Sequence, residues 1–356
     1  LNRFTLVRPK SYAEASGVLT SKTYSLPVLK AGGLDVLDHM KEGLWSPRAL
    51  VDVKRLMPAD QREPIATFSR LVNRASTTPP PPNWSIDNGY VDIAASALLA
   101  DVASSPKVLA AAPVVAQSLA SAATPQVRNV GTVAGNLLQR PRCWYYRQQQ
   151  FDCLKKGGSQ CFAVEGENAY HAIFGPGPCH IVHPSNLAPA LMVCDGRVHL
   201  VGGKRDSLKI SELYHMPDKG ITSEHNLEPG EIITHISFES RQVSGFYSIK
   251  HKQSFDWPLV FACVALAVDA NKITHASVCA GAVAPVPWML PSVAAALVGV
   301  SPDDDAAITA ACVKAGDGAK PMRDNGYKVQ LLSVAVKRAI LVALKKPVPG
   351  QEEGNS

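Results

Sequence analysis

Residues 124–153 read TPQVRNVGTVAGNLLQRPRCWYYRQQQFDC, from Thr124 to Cys153. The first half holds a glycine-bearing turn, Gly131-Thr-Val-Ala-Gly135-Asn136, of the kind that lets backbone N–H groups approach a phosphate because no Cβ intervenes. The second half is basic, aromatic and cysteine-bearing, which is the chemistry of a metal. The first half suggests a nucleotide, so the fold depends on how the two halves are reconciled.

Before this stretch the chain alternates strand and helix. FTLV is a short strand. Ser11-Tyr-Ala-Glu14 has the capping-box pattern of a helix start. LPVLKA is an apolar strand ending at Gly32-Gly33, LDVLDHMKEG a short helix closed by Gly43, and ALVDV a further strand. The TTPPPP run at 77–82 excludes helix and central strand. Residues 107–123 are alanine-rich and helical, restarted at Pro113. After the quoted stretch, residues 139–180 look irregular, and a loop that long requires an anchor or a function. A helix at NLAPALMV and a strand at RVHLV follow. EIITHISF, GFYSIKH, VFACVALAV and THASVCAGAV then predict an antiparallel sheet, and the remainder to about residue 346 is helical.

Composition narrows the class. The 356 residues are 46% apolar and 19% charged, with a net charge of +6. This is a globular chain of two or three domains, and its mild charge does not call for nucleic acid. No run of 18 apolar residues predicts a membrane span. The opening LNRFTLVRPKSYAEA lacks a secretory core, so the expectation is a cytoplasmic protein. Eight cysteines are then thiols or metal ligands. Cys194, Cys263, Cys279 and Cys312 sit in apolar runs and read as core. The others are spaced Cys143-x9-Cys153-x7-Cys161-x17-Cys179, wider than zinc knuckles and unlike bacterial ferredoxin spacing. Arg128, Arg140, Arg142, Arg147, Lys155 and Lys156 surround them, an excess expected to favour thiolates. On the residues alone, a cluster, a zinc site, free thiols and disulfides all stay open. So does the reading of Gly32-Gly33 and Gly131–Gly135 as ordinary turns, since neither is GxGxxG nor a P-loop.

The motifs in order resemble a known family. LKAGGLDVLDHMKEG, TPQVRNVGTVAGNLLQRPRCW, HPSNLAPAL and SIKHKQSFDWPLV, spread over about residues 3–345, are similar to the FAD-binding subunit of molybdenum hydroxylases, the xanthine dehydrogenase, aldehyde oxidoreductase and carbon monoxide dehydrogenase family. The resemblance implies an α+β protein with a vanillyl-alcohol-oxidase-type FAD-binding domain of two α/β subdomains, 1–58 and 59–225. A C-terminal α+β domain with an antiparallel sheet and helices would cover 226–346, with a loose tail at 347–356. It implies FAD between Ala31, Gly32, Gly33, Leu34, Asp35, Val36 and Leu37 on one side and Thr132, Gly135 and Asn136 on the other, with Ser185, Asn186, Lys252 and Asp256 beside the flavin. Leu34 stands where many members have Thr, Ala134 where Gly is frequent, and Asn186 where Asp is usual. A subset of the family carries a 4Fe-4S cluster in an insertion of this subunit, and the aldehyde-type insertion matches Cys143, Cys153, Cys161 and Cys179.

As partners the resemblance implies a small 2Fe-2S subunit, a large molybdopterin subunit and an external electron acceptor. It implies no acid–base catalytic group in this chain. A signal-bearing partner could carry it to the periplasm. A cysteine-loop zinc protein and a redox-inactive scaffold are the competing classes.

Overall fold

The computed structural model describes residues 2–56, 89–252 and 255–350; the TTPPPP run and the tail from 351 lie outside them. Eleven strands form three sheets among the described residues. The first is parallel, in the order β1-β3-β2, from β1 (Thr5–Val7), β2 (Pro27–Lys30) and β3 (Ala49–Asp52). The second is antiparallel, in the order β4-β7-β5-β6, from β4 (Tyr90–Ala94), β5 (Arg197–Val201), β6 (Ser207–Lys209) and β7 (Ile232–Glu239). The third, also antiparallel, runs β11-β10-β9-β8, from β8 (Ser244–Lys250), β9 (Pro258–Asp269), β10 (Lys272–Gly281) and β11 (Trp288–Met289).

The α+β architecture agrees with the sequence reading, but one strand belongs elsewhere. The antiparallel series expected from residue 226 is divided, because β7 pairs with β4 and β5 instead of β8. The change of sheet therefore falls between Glu239 and Ser244. Alternation alone could not show this, since a strand with one buried face looks the same whichever sheet receives it.

The apolar run in β9 has a direct explanation. Phe261, Cys263 and Ala265 enter a core built with the helices at Pro113–Ala120 and Leu187–Val193. Val260, Ala262, Val264 and Leu266 enter a second core under the helix Tyr327–Ala343. A strand covered on both faces shows no polar alternation. Gly245 lets that helix lie against β8, because a Cβ there would stand 2.4 Å from the Ala339 carbonyl oxygen. Cys194, Cys263, Cys279 and Cys312 are buried in these cores, as their apolar surroundings predict. At the N-terminus, the Ser11 hydroxyl accepts from the Glu14 N–H, while the Glu14 carboxylate accepts from the N–H of Lys10, one residue before the cap.

Candidate flavin crevice and cysteine chamber

The two glycine turns, a hundred residues apart in sequence, meet backbone to backbone. A Cβ on Gly32 would lie 2.4 Å from the Val130 carbonyl oxygen, so no side chain fits there. Gly33, at φ +82°, starts the helix Leu34–Lys41 from the left-handed region that glycine tolerates. Opposite it, the Thr132 Oγ1 accepts from the Gly135 N–H at 3.2 Å and caps the short helix Val133–Leu137. The Leu99 N–H donates to the Gly131 carbonyl, and the N–H groups of Val133 and Ala134 donate to Ala97 and Ala95. The second turn is thereby tied to the segment that follows β4. Both helices begin at this crevice: the first-turn N–H groups of Leu34–Lys41 lack intrahelical acceptors, whereas those of Val133, Ala134 and Gly135 are already taken.

The HPSN segment closes the back of the second turn. The Ser185 hydroxyl donates to Asn136 Oδ1 at 2.7 Å, and its oxygen accepts from the Ala188 N–H. Asn136 and Ser185 therefore lock the second turn to the helix Leu187–Val193. Asn186 differs: it is buried, and its Nδ2 has no hydrogen-bond partner among the described residues. A buried amide donor without an acceptor is costly, and an acceptor-rich ligand such as a flavin would satisfy it. The crevice residues thus fit FAD. Replacing Asn186 by leucine is expected to weaken FAD binding about tenfold, roughly 1.4 kcal/mol, without lowering the melting temperature of the flavin-free protein. Flavin fluorescence titration against a thermal melt measures both, and unchanged affinity would remove Asn186 from the site.

His183 lies beneath this segment, its ring edge-on to Tyr214 at 4.3 Å, with the Ser185 N–H directed at its Nδ1. Burial holds its pKa down at about 3. An unfolded histidine takes up a proton as pH falls through its ordinary value, while the folded one stays neutral until about pH 3. The resulting stability is complete above that ordinary value and is lost as pH falls toward 3. The loss is at most ~1.4 kcal/mol per pH unit from this group. Urea unfolding at pH 7 and pH 5 should show a smaller loss in the H183Q variant than in wild type.

Two further flavin positions, Leu34 and Asp35, make other contacts. Leu34 is partly exposed, its side chain reaching toward Gly131. The side chain of Asp35 turns away from the crevice. Its carboxylate binds Arg142 and Arg147 at 2.9 Å each and accepts from the Arg140 N–H at 2.9 Å. These cations hold its pKa below the usual carboxylate value against the opposing effect of burial, which is the largest single influence. Lys252 is exposed and Asp256 half-buried. Their segment reaches the cysteine loop through Trp257, whose ring lies 5.2 Å from the Arg142 guanidinium.

The loop at 139–180 is anchored by these ion pairs. Arg147 also donates to the Pro141 and Arg140 carbonyls, and Arg140 and Lys155 converge on Glu224 at 2.8 and 2.7 Å. Arg128 donates to the carbonyls of Ala122 and Ala123. The basic excess expected to favour thiolates is therefore mostly spent on carboxylates and carbonyls, because desolvated cations need partners. Of the six, Lys155 acts on a loop sulfur: it opposes, without reversing, the rise in the Cys179 pKa that the hydrogen bond to Cys161 and burial produce.

The loop cysteines nonetheless converge. Cys143, Cys153, Cys161 and Cys179 line one cavity together with Tyr145, Tyr146 and His171. None is in a disulfide. The Cys161 and Cys179 sulfurs share a hydrogen bond, which lowers the Cys161 pKa to about 5 and raises that of Cys179. Burial pushes the Cys143 thiol up to about 11. The His171 Nε2 lies 3.3 Å from Cys143 Sγ. Four sulfurs lining one cavity are a donor set that suits an iron–sulfur cluster; no three of them lie within 4.8 Å of one another, as a single tetrahedral ion requires. The wall between chamber and crevice is shared. Tyr146 lines the chamber, and its hydroxyl is 2.9 Å from Nε2 of the buried His39 on the helix Leu34–Lys41.

Comparison with known proteins identifies this arrangement. Residues 82–238 match the FAD binding domain in molybdopterin dehydrogenase, and residues 245–343 match the CO dehydrogenase flavoprotein C-terminal domain. The chain belongs to the FAD-binding subunits of the molybdenum hydroxylases. It is similar to the aldehyde oxidoreductase FAD-binding subunit PaoB of Escherichia coli strain K12, at 29% identity over 297 residues, covering 82% of this chain and 84% of that one. Among solved structures, a chain of quinoline 2-oxidoreductase from Pseudomonas putida 86 shares the fold at TM-score 0.67 and 18% identity, over 97% of this chain and 98% of that one. A chain of carbon monoxide dehydrogenase from Hydrogenophaga pseudoflava does so at TM-score 0.68 and 21% identity, over 97% and 98%. This flavoprotein subunit is an oxidoreductase component. Among its described residues, no helix is long and apolar enough to cross a membrane.

Proposed function

We propose that this subunit carries electrons in a molybdenum-containing hydroxylase of the aldehyde or xanthine dehydrogenase type. It would work beside a small 2Fe-2S subunit and a large molybdopterin subunit. FAD lies between Gly32-Gly33 and Thr132–Asn136, and a 4Fe-4S cluster is held by Cys143, Cys153, Cys161 and Cys179. Held there, FAD would supply the redox chemistry that links the partner's clusters to an external acceptor. Aldehydes are the first substrate class to test, on the insertion's resemblance to the aldehyde type and on the similarity to an aldehyde oxidoreductase subunit.

Bound FAD supplies the exchange between one- and two-electron chemistry. The chain's own contribution is position and electrostatics. The first glycine turn gives backbone donors without side-chain obstruction, Asn186 offers a buried amide, and Asp35 ties the flavin-side helix to the cysteine loop. The observation that carries the cluster is the convergence of the four loop cysteines on one cavity, while the other four lie in the apolar cores.

Anaerobic purification with FAD, iron and zinc quantified per chain tests the reading. About one FAD and about four iron atoms are expected. FAD with one zinc in place of iron would replace the cluster with a tetrahedral metal. FAD with no metal would reduce the four cysteines to loop residues.

A further inference from the structure

On the face of the β4-β7-β5-β6 sheet away from its core, a different set of ligands comes together. β4 places Asp92 opposite Ser237 of β7, and β7 places His235 opposite His199 of β5. Asp92 is thus diagonal to His235, while Val91, Ile93, Ile236 and Val198 point to the buried side. The two imidazoles stack with centroids 4.0 Å apart and planes within 6°. One ligand-capable atom from each of Asp92, His199 and His235 falls within 4.8 Å of the others, and all three residues are half-buried.

The tautomer of His235 follows from its neighbours. The Thr234 hydroxyl donates its proton to the His199 carbonyl oxygen, at 3.3 Å. Its oxygen, 3.0 Å from His235 Nδ1, is then the acceptor, and Nδ1 carries the proton. Neutral His235 therefore keeps its lone pair on Nε2. A hydroxyl or carbonyl that fixes a ring nitrogen in this way is the usual support of a metal-bound histidine.

We propose that Asp92, His199 and His235 form a divalent transition-metal site on the outer face of this sheet. It is separate from the flavin crevice and the cysteine chamber and does not rest on either. Two imidazoles and one carboxylate suit zinc, nickel or copper over magnesium or calcium. With metal–ligand bonds of about 2.0–2.2 Å, the ligand atoms must draw in by about an ångström, and His199 must give up the 2.7 Å contact of its Nε2 with the Ser237 hydroxyl or ligate through Nδ1. Arg197, opposite Ser237 on the same face, opposes a cation, so binding is expected to be reversible instead of cofactor-tight. The bound ion would join β4, β7 and β5, and zinc would raise the melting temperature as a ligand of the folded state does.

Cobalt(II) distinguishes this site from the cysteines, because thiolate ligands give an intense sulfur-to-cobalt charge-transfer band and imidazole with carboxylate does not. Titration of the purified full-length chain should show one cobalt bound without that band. This binding should be lost in an H199Q/H235Q double variant and weakened in D92N, with far-UV circular dichroism unchanged. Should the double variant misfold, T234V, which leaves all three ligands in place, decides: about tenfold weaker binding is expected. Cobalt bound only with the charge-transfer band, or bound equally well by H199Q/H235Q or by T234V, would overturn the proposal.

Discussion

The G32A variant is expected to lose most of its flavin. One added methyl would sit 2.4 Å from the Val130 carbonyl oxygen, and that oxygen is backbone, so it cannot rotate aside. The two turns must separate by about an ångström, an overpacking cost of about 1–3 kcal/mol. If the whole cost falls on the crevice, flavin affinity drops roughly five- to 150-fold. The matched control is G17A. Gly17 lies inside the helix Tyr12–Thr20 with nothing within 4 Å of its Cβ position, so alanine there should stabilise the protein by roughly 0.5–1 kcal/mol. FAD per chain and thermal melts, measured for both variants, test the contrast. A G32A protein with full flavin content would show that the crevice does not depend on the close approach of the turns.

The second large effect is expected at Arg147. Its side chain is 8% exposed and binds Asp35 and Asp38, both at 2.9 Å, together with the carbonyls of Pro141 and Arg140. R147M keeps much of the volume and removes every donor. Asp38 is half exposed and will be resolvated. Asp35 keeps Arg142, while the two carbonyls lose a donor, so the expected loss is about 2–3 kcal/mol. The diagnostic consequence is joint. Asp35 belongs to the flavin-side helix, and Arg142 and Arg147 flank Cys143. FAD and metal content should therefore fall together, with faster amide exchange across both residues 34–41 and 140–147. Loss of metal with flavin fully retained would mean that the ion pairs hold the loop alone.

Much of this was legible in the chain. RNVGTVAGN and HPSN pointed to a flavin through their resemblance to a known family; on the residues alone the glycine turns stayed open, because a glycine does not say what approaches it. VFACVALAV read as one strand of an antiparallel sheet, and that both its faces are covered came only from the structure. The wide spacing of Cys143, Cys153, Cys161 and Cys179 left cluster, zinc and free thiol open, since spacing along an irregular loop does not fix distance in space. The basic residues misled, because a count of charges does not say which carboxylates they meet. Glu224 is 84 residues from Arg140 in sequence and in contact with it in space.

By itself the sequence determined the elements, the two glycine turns and the separation of the cysteines into loop and core sets, because each rests on local backbone conformation or local polarity. Only the tertiary structure decided that the turns abut, that β7 joins β4 and β5, that Asn186 holds a buried donor without an acceptor, and that Asp35 serves the cysteine loop. It alone brought Asp92, His199 and His235 to one face. Each of these depends on which distant surfaces are buried against one another, and hydrophobic burial, being non-directional, leaves no local mark of its partner in the chain.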